Sequence, residues 1–301
     1  MLYVYNIILH TNLNIEHSFV MRLKVIIALA VASLIFSISA CSNGKSERAI
    51  TRARLDSFPD PVRPVVGAVM KNDRDKFASL VLYPLMREYP LHDINGKDEM
   101  LRYYRFIVDD SLHKVIAGSK PADWDQYGWR GWSLLDGQYI WVDDSIYSIP
   151  YMSNAERKLR DSLVVCDLAS LPSSLSKGWT PECCFRQKDG KHIYRIDRSA
   201  KQGVKPTYRL LMYTDTDKMR GEPARNLQGY REAEGSMVII TYYFATPEGG
   251  QVIVTPEPVD SPYPTLEIEG HGIASGTSMD LVKAYWLDLL PPINEGEASA
   301  K

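Results

Sequence analysis

Val62, Val65, Val66 and Val69 recur at three- and four-residue intervals and stop before Asn72-Asp73, the spacing of a short amphipathic helix. A second helix is expected from about Arg74, with Phe77, Leu80 and Val81 inward, broken before Pro84. The third runs from Asp98 to Ala117, lays Leu101, Tyr104, Val108, Leu112 and Val115 along one stripe, and ends at Gly118. The period then shortens. Residues 127–135 and 138–143 flank Asp136-Gly137, a two-residue hairpin signal. Trp132 and Leu134 share a face before the turn, and Tyr139 and Trp141 share one after it. A further strand follows over Ser145 to Tyr151. Ser153-Asn154-Ala155-Glu156 then forms a capping box opening a helix to about Val165.

The texture changes after a linker, residues 167–178, that contains Pro172 and four serines. From Trp179 to Leu290 the chain is strand-rich, with strands expected over His192–Asp197, Thr207–Tyr213, Met237–Thr246 and Gln251–Thr255. Glu248-Gly249-Gly250 supplies the hairpin between the last two, and Gly270-His271-Gly272 reads as a turn. Ser278 is placed to cap a final helix carrying Leu281, Val282, Tyr285 and Leu289, stopped by Pro291-Pro292. Residues 291–301 are expected to be a disordered tail.

Near the start, Met21-Arg22-Leu23-Lys24 precedes an apolar run from Val25 to Ile38, followed by Ser39-Ala40-Cys41. A basic stretch, a short apolar run and small residues are the parts of a secretory signal peptide, and the run is short for a membrane span. Ile38-Ser39-Ala40-Cys41 resembles the lipobox of bacterial lipoproteins. The resemblance implies cleavage before Cys41, lipidation of its sulfur and amine, and a membrane anchor. Residues 1–20 fit no part of a signal peptide, so translation is expected to begin at Met21, with residues 1–40 absent from the mature chain. Residues 41–57 then form a polar linker. Ser42, with no acidic run after it, implies by the same resemblance the periplasmic face of an outer membrane.

Helices followed by a curved antiparallel sheet is also the order of the NTF2-like cone. The stretch from Ala68 to Val81 with Tyr83-Pro84-Leu85 resembles the opening helices of such proteins in bacterial envelopes. Gly128-Trp129-Arg130-Gly131-Trp132 and Asp136-Gly137-Gln138-Tyr139-Ile140-Trp141 are similar to their sheet hairpin. The expectation is α+β throughout: an NTF2-like cone over residues 58–166, then a smaller β-rich domain over 179–290 with a C-terminal helix.

The 301 residues are 45% hydrophobic and 24% charged, with a net charge of −2, a globular composition without the basic excess that nucleic-acid binding requires. Cys166, Cys183 and Cys184 remain after Cys41. Cys166 either bridges to Cys183 or Cys184, closing a loop of about 17 residues worth ~3 kcal/mol, or the three thiols never meet. No Cys/His cluster has metal-ligand spacing and no nucleotide or hydrolase motif occurs, so no cofactor or metal is expected.

Six tryptophans and 18 tyrosines direct attention to the aromatic stretch. Trp129, Arg130, Trp132 and Trp141, with Tyr104 from the third helix, form a candidate ligand pocket, Arg130 bracing on an indole or receiving an anion. Asp109 and His113 lie four apart on one helix, as an acid–base pair would, but read better as part of a solvated helix face. Asp143-Asp144 reads better as turn chemistry than as a carboxylate dyad. The leading expectation is a membrane-anchored, non-catalytic module binding a small molecule or an envelope protein. The alternatives are an envelope hydrolase or isomerase with a polar site inside the cone, and a structural or assembly factor.

Overall fold

The computed structural model describes residues 52–188, 190–199, 205–234, 239–257, 264–269 and 279–290. The expected signal peptide with Cys41, the expected turn at Gly270-His271-Gly272 and the expected tail over 291–301 lie outside the described residues. The protein is α+β, and every element below belongs to one compact unit, Leu55–Lys301.

Helix α1 (Val62–Met70) buries the four valines of its stripe. Helix α2 (Arg74–Ser79) starts at Asp73, whose carboxylate accepts the Lys76 N–H, and turns Phe77 inward. The single long helix expected over 98–117 is two helices, α3 (Lys97–Ile107) and α4 (Asp110–Gly118). Asp109 is the cause. Its backbone is extended and its carboxylate caps α4, accepting from Ser111 N at 3.1 Å and Leu112 N at 2.9 Å. The break resets the helical phase. Met100, Tyr104 and Ile107 are buried in α3, and Leu112 and Ile116 in α4, in place of one continuous stripe.

A four-stranded antiparallel sheet follows in the order β1 (Trp124–Gln126), β2 (Trp132–Leu134), β3 (Trp141–Val142), β4 (Ile146–Ser148). The β2–β3 loop is longer than the two residues expected, because Leu135, Asp136 and Gly137 all take positive φ. Gly137 is required there: the Trp141 indole lies against it, its N–H donating to Gly137 O at 3.2 Å, and a Cβ would run into the ring. Helices α1, α3 and α4 close one core over Leu134, Val142 and Ile146.

Helix α5 (Asn154–Ala169) opens with the expected capping box, Ser153 Oγ accepting from Glu156 N and Glu156 accepting from Ser153 N. Glu156 is also the buried partner of Arg87, whose Nη2 lies 2.7 Å from it. Burial raises the Glu156 carboxyl above the usual range, and Arg87 pulls it back only in part. The segment expected as a linker completes α5, forms α6 (Ser173–Ser176), and buries Leu171 and Leu175.

The second half is a closed eight-stranded barrel: β5 (Trp179–Gln187), β6 (Ile193–Ser199), β7 (Tyr208–Tyr213), β8 (Arg225–Glu234), β9 (Ile239–Ala245), β10 (Gln251–Thr255), β11 (Thr265–Glu269) and β12 (Met279–Ala284). Each strand pairs antiparallel with the next, and β12 pairs back onto β5, an up-and-down meander without a free edge. The final helix expected from Ser278 is therefore corrected. Residues 279–284 are the closing strand, with Leu281 inside the barrel and Ala284 outside, and only α7 (Trp286–Leu289) is helical. Hydrogen bonding to both neighbours outweighs a weak helical spacing.

Strands β6 and β7 are buried on both faces. Tyr194, Ile196, Tyr208 and Leu210 face the lumen, while Ile193, Leu211 and Tyr213 pack outward under α6 and α7. Between the two layers lies an ionic cluster. Arg195, 0% exposed, meets Asp167 Oδ1 of α5 at 2.5 Å and Asp197 Oδ1 at 2.8 Å, with its guanidinium 4.8 Å from the Trp286 ring. Arg209 takes the other oxygen of Asp197 at 2.7 Å. Burial alone would lower the Arg195 pKa, but Asp197 and Asp167 outweigh it and hold the group charged. A second tie joins the halves: Lys283 of β12 meets Asp93 at 2.7 Å.

Candidate functional site

Register places charged side chains inside the barrel at one end. Arg198 of β6 sits directly opposite Tyr208 of β7, and Arg231 of β8 directly opposite Tyr242 of β9. Directly paired residues share a face, and both tyrosines belong to the lumen core, so both arginines point inward. Glu182 joins them from β5, at a bulge between Pro181 and Cys183 that re-aims its side chain.

The carboxylate stands between the two guanidiniums. Its Oε2 is 3.4 Å from Arg198 Nε, and its Oε1 is 3.4 Å from Arg231 Nη1 and 3.3 Å from the Tyr242 hydroxyl, which donates to it. All three contacts exceed the 2.7–2.9 Å of strong charge-assisted bonds. Arg198 Nε is buried and makes no hydrogen bond among the described residues. Arg231 lies 5.7 Å over the Tyr208 ring, Tyr208 and Tyr242 meet edge to face at 5.3 Å, and Phe244 stacks beneath Tyr242 at 6.3 Å. Burial, reinforced by Cys183 and Glu182, pushes the Tyr242 hydroxyl far up, so it remains a neutral donor. Burial and then Glu182 raise Tyr208 in the same way. Packed rings form the floor, and the polar groups line a rim reached from solvent: Arg198 is 43%, Arg231 38% and Glu182 20% exposed. The arrangement can hold an anion against two guanidiniums and a hydroxyl, with aromatic faces beside it.

The residues singled out from the sequence take several separate roles. Tyr104 is buried edge-on against Phe77, with Arg74 over its ring, inside the helical core. Trp129 is 65% exposed, with Arg130 5.6 Å over its ring, a surface pair. Trp132 packs partly against the core, and Trp141 is half-buried between Tyr127 and Tyr147. Asp109 does not form a dyad with His113: it caps α4 and accepts from the Tyr151 hydroxyl at 2.9 Å. Asp143 and Asp144 are exposed on the rim of a groove of about 290 Å³ lined by Pro61, Pro64, Val65 and Leu80. Of the two cysteine alternatives the structure has the thiols that do not meet, with Cys166, Cys183 and Cys184 free. Cys166 is exposed on α5, Cys183 faces the barrel lumen and Cys184 the layer outside it, as strand alternation dictates for neighbours.

Glu182, Arg198 and Arg231 had no signal in the sequence beyond charge within a strand-rich region, because their convergence depends on barrel register. Compared with known protein families, curated proteins and solved structures, the chain matches none.

Proposed function

We propose that this chain is a bacterial envelope lipoprotein, held by a lipid on Cys41 and facing the periplasm from the outer membrane, whose folded part is a non-catalytic binding module. The helices and four-stranded sheet over residues 62–148 are read as a reduced NTF2-like unit that carries the barrel as its ligand-binding partner. The observation that carries the binding reading is the barrel mouth, where Arg198 and Arg231 share Glu182 inside a ring-lined rim. Mouths of small barrels are preferred ligand sites because the strands fix side chains rigidly around a concave end. The use of Asp109 as a helix cap supports a non-catalytic reading of the helical half.

Two measurements test it. The full chain expressed in a bacterial host should incorporate labelled palmitate, and Cys41→Ala should lose the label; equal labelling of the variant would remove the anchor. A small amphiphilic fluorophore, N-phenyl-1-naphthylamine or its sulfonate 8-anilinonaphthalene-1-sulfonate, should bind saturably near one per chain. Failure of both to bind would remove the binding module.

A further inference from the structure

We propose that the barrel mouth takes a small organic anion, an acidic head on an apolar body, and that Glu182 is a built-in occupant which the ligand displaces. The proposal rests on the binding-module reading and adds the chemistry of the ligand.

Two guanidiniums converge on one carboxylate, and Arg198 Nε, 3.4 Å from that carboxylate, is buried without a hydrogen bond among the described residues. A buried guanidinium donor left unmade is costly, and an incoming anion restores it. Glu182 is also loosely held. Its three polar contacts among the described residues measure 3.3–3.4 Å, and it stands on a bulge, where the strand is least constrained by its partner. Exchange of one carboxylate for another anion leaves the charge at the arginines unchanged. The floor is aromatic. Tyr208 and Tyr242 are buried beside the guanidiniums and Glu182, with Phe244 beneath Tyr242, so movement of the Glu182 side chain would set aromatic rings against the incoming ligand, whose body is apolar and flat. The acidic head is fixed by chemistry shared between carboxylate, sulfonate and phosphate.

The test compares the sulfonate probe 8-anilinonaphthalene-1-sulfonate with N-phenyl-1-naphthylamine, the same ring system without its charge, on the full mature chain. Glu182→Gln keeps the side chain's size but releases both arginines, and should tighten sulfonate binding about tenfold, equivalent to ~1.4 kcal/mol. Arg198→Gln and Arg231→Gln should each weaken it about tenfold, and raised salt should weaken it in the unaltered protein. The neutral probe should change less than about twofold in every variant. Each variant is accepted only with an unchanged near-ultraviolet circular dichroism spectrum; Arg198→Gln, at a partly exposed side chain, serves if Glu182→Gln misfolds. Equal affinity for the two probes, or sulfonate binding indifferent to Glu182→Gln and to Arg198→Gln, would overturn the anion proposal while leaving the binding module standing. Binding of neither probe would overturn both.

Discussion

Replacing Arg195 by methionine removes the guanidinium that joins α5 to the outer face of the barrel, at nearly constant volume. Arg195 is fully buried, and its partners respond differently to its loss. Asp197 keeps Arg209, which contacts its second oxygen through Nε at 2.8 Å and Nη2 at 2.7 Å. Asp167 keeps only the Tyr89 hydroxyl, at 3.3 Å, among the hydrogen bonds of its carboxylate to described residues. A buried carboxylate stripped of its cation typically costs ~3–5 kcal/mol. For a unit of this size that is a fall in Tm of roughly 10 °C at pH 7.5.

The cost must depend on pH, and its direction is fixed. Burial already raises the Asp167 carboxyl above the usual range, against the pull of Arg195, and the variant loses that pull. A carboxyl whose folded pKa lies above its unfolded one contributes stability that is full below the unfolded value, about 4, and lost as pH rises through the folded value. The Tm gap between the variant and the unaltered protein should therefore narrow from pH 7.5 to pH 5. Asp167→Asn added to Arg195→Met should recover part of the loss and flatten the pH dependence of the gap. Differential scanning calorimetry reads all three. A gap below about 2 °C at pH 7.5, where ~3–5 kcal/mol is expected, or one that widens on acidification, would refute the reasoning.

Two further outcomes are expected. Ser153→Ala removes the bond from Glu156 N at 3.0 Å and the one donated to Phe106 O at 2.7 Å, and should cost ~1–2 kcal/mol in a urea titration, with Ser153→Thr retaining most of it. In the Cys41→Ala background, a disulfide-exchange reagent should titrate Cys166 rapidly in the native protein, and Cys183 and Cys184 only on unfolding, because burial raises both of those thiols. A thiol count that rises only after reduction would restore the bridge.

The sequence made the fold legible where local chemistry decides it. Helix α1 follows from valine spacing, α2 is capped by Asp73, and the start of α5 follows from a capping box whose two bonds both form. Strands β6, β7, β9 and β10 follow from runs of branched and aromatic residues. Legibility fails where two local signals compete or distant pairing decides. Asp109 lies within an apparently continuous stripe, but its carboxylate competes for backbone N–H groups and ends a helix. Strand β8, polar along most of its length, carries no hydrophobic alternation, and β12 shows a helical spacing that barrel closure overrides. The mouth inherits both difficulties. Arg231 acquires a lumen-facing side only once β8 pairs with β9, and Glu182 only once the β5 bulge is in place.

If Arg198 and Arg231 receive an anion at the barrel mouth, their guanidinium Nε–Hε resonances report it directly. Titration of 15N-arginine-labelled mature chain with 8-anilinonaphthalene-1-sulfonate should shift the Arg198 and Arg231 signals saturably, assigned by Arg198→Gln and Arg231→Gln. The signals of Arg195 and Arg209, enclosed in the ionic cluster, should stay in place. Shifts confined to other arginines, or saturable binding with the Arg198 and Arg231 signals unmoved, would contradict the account.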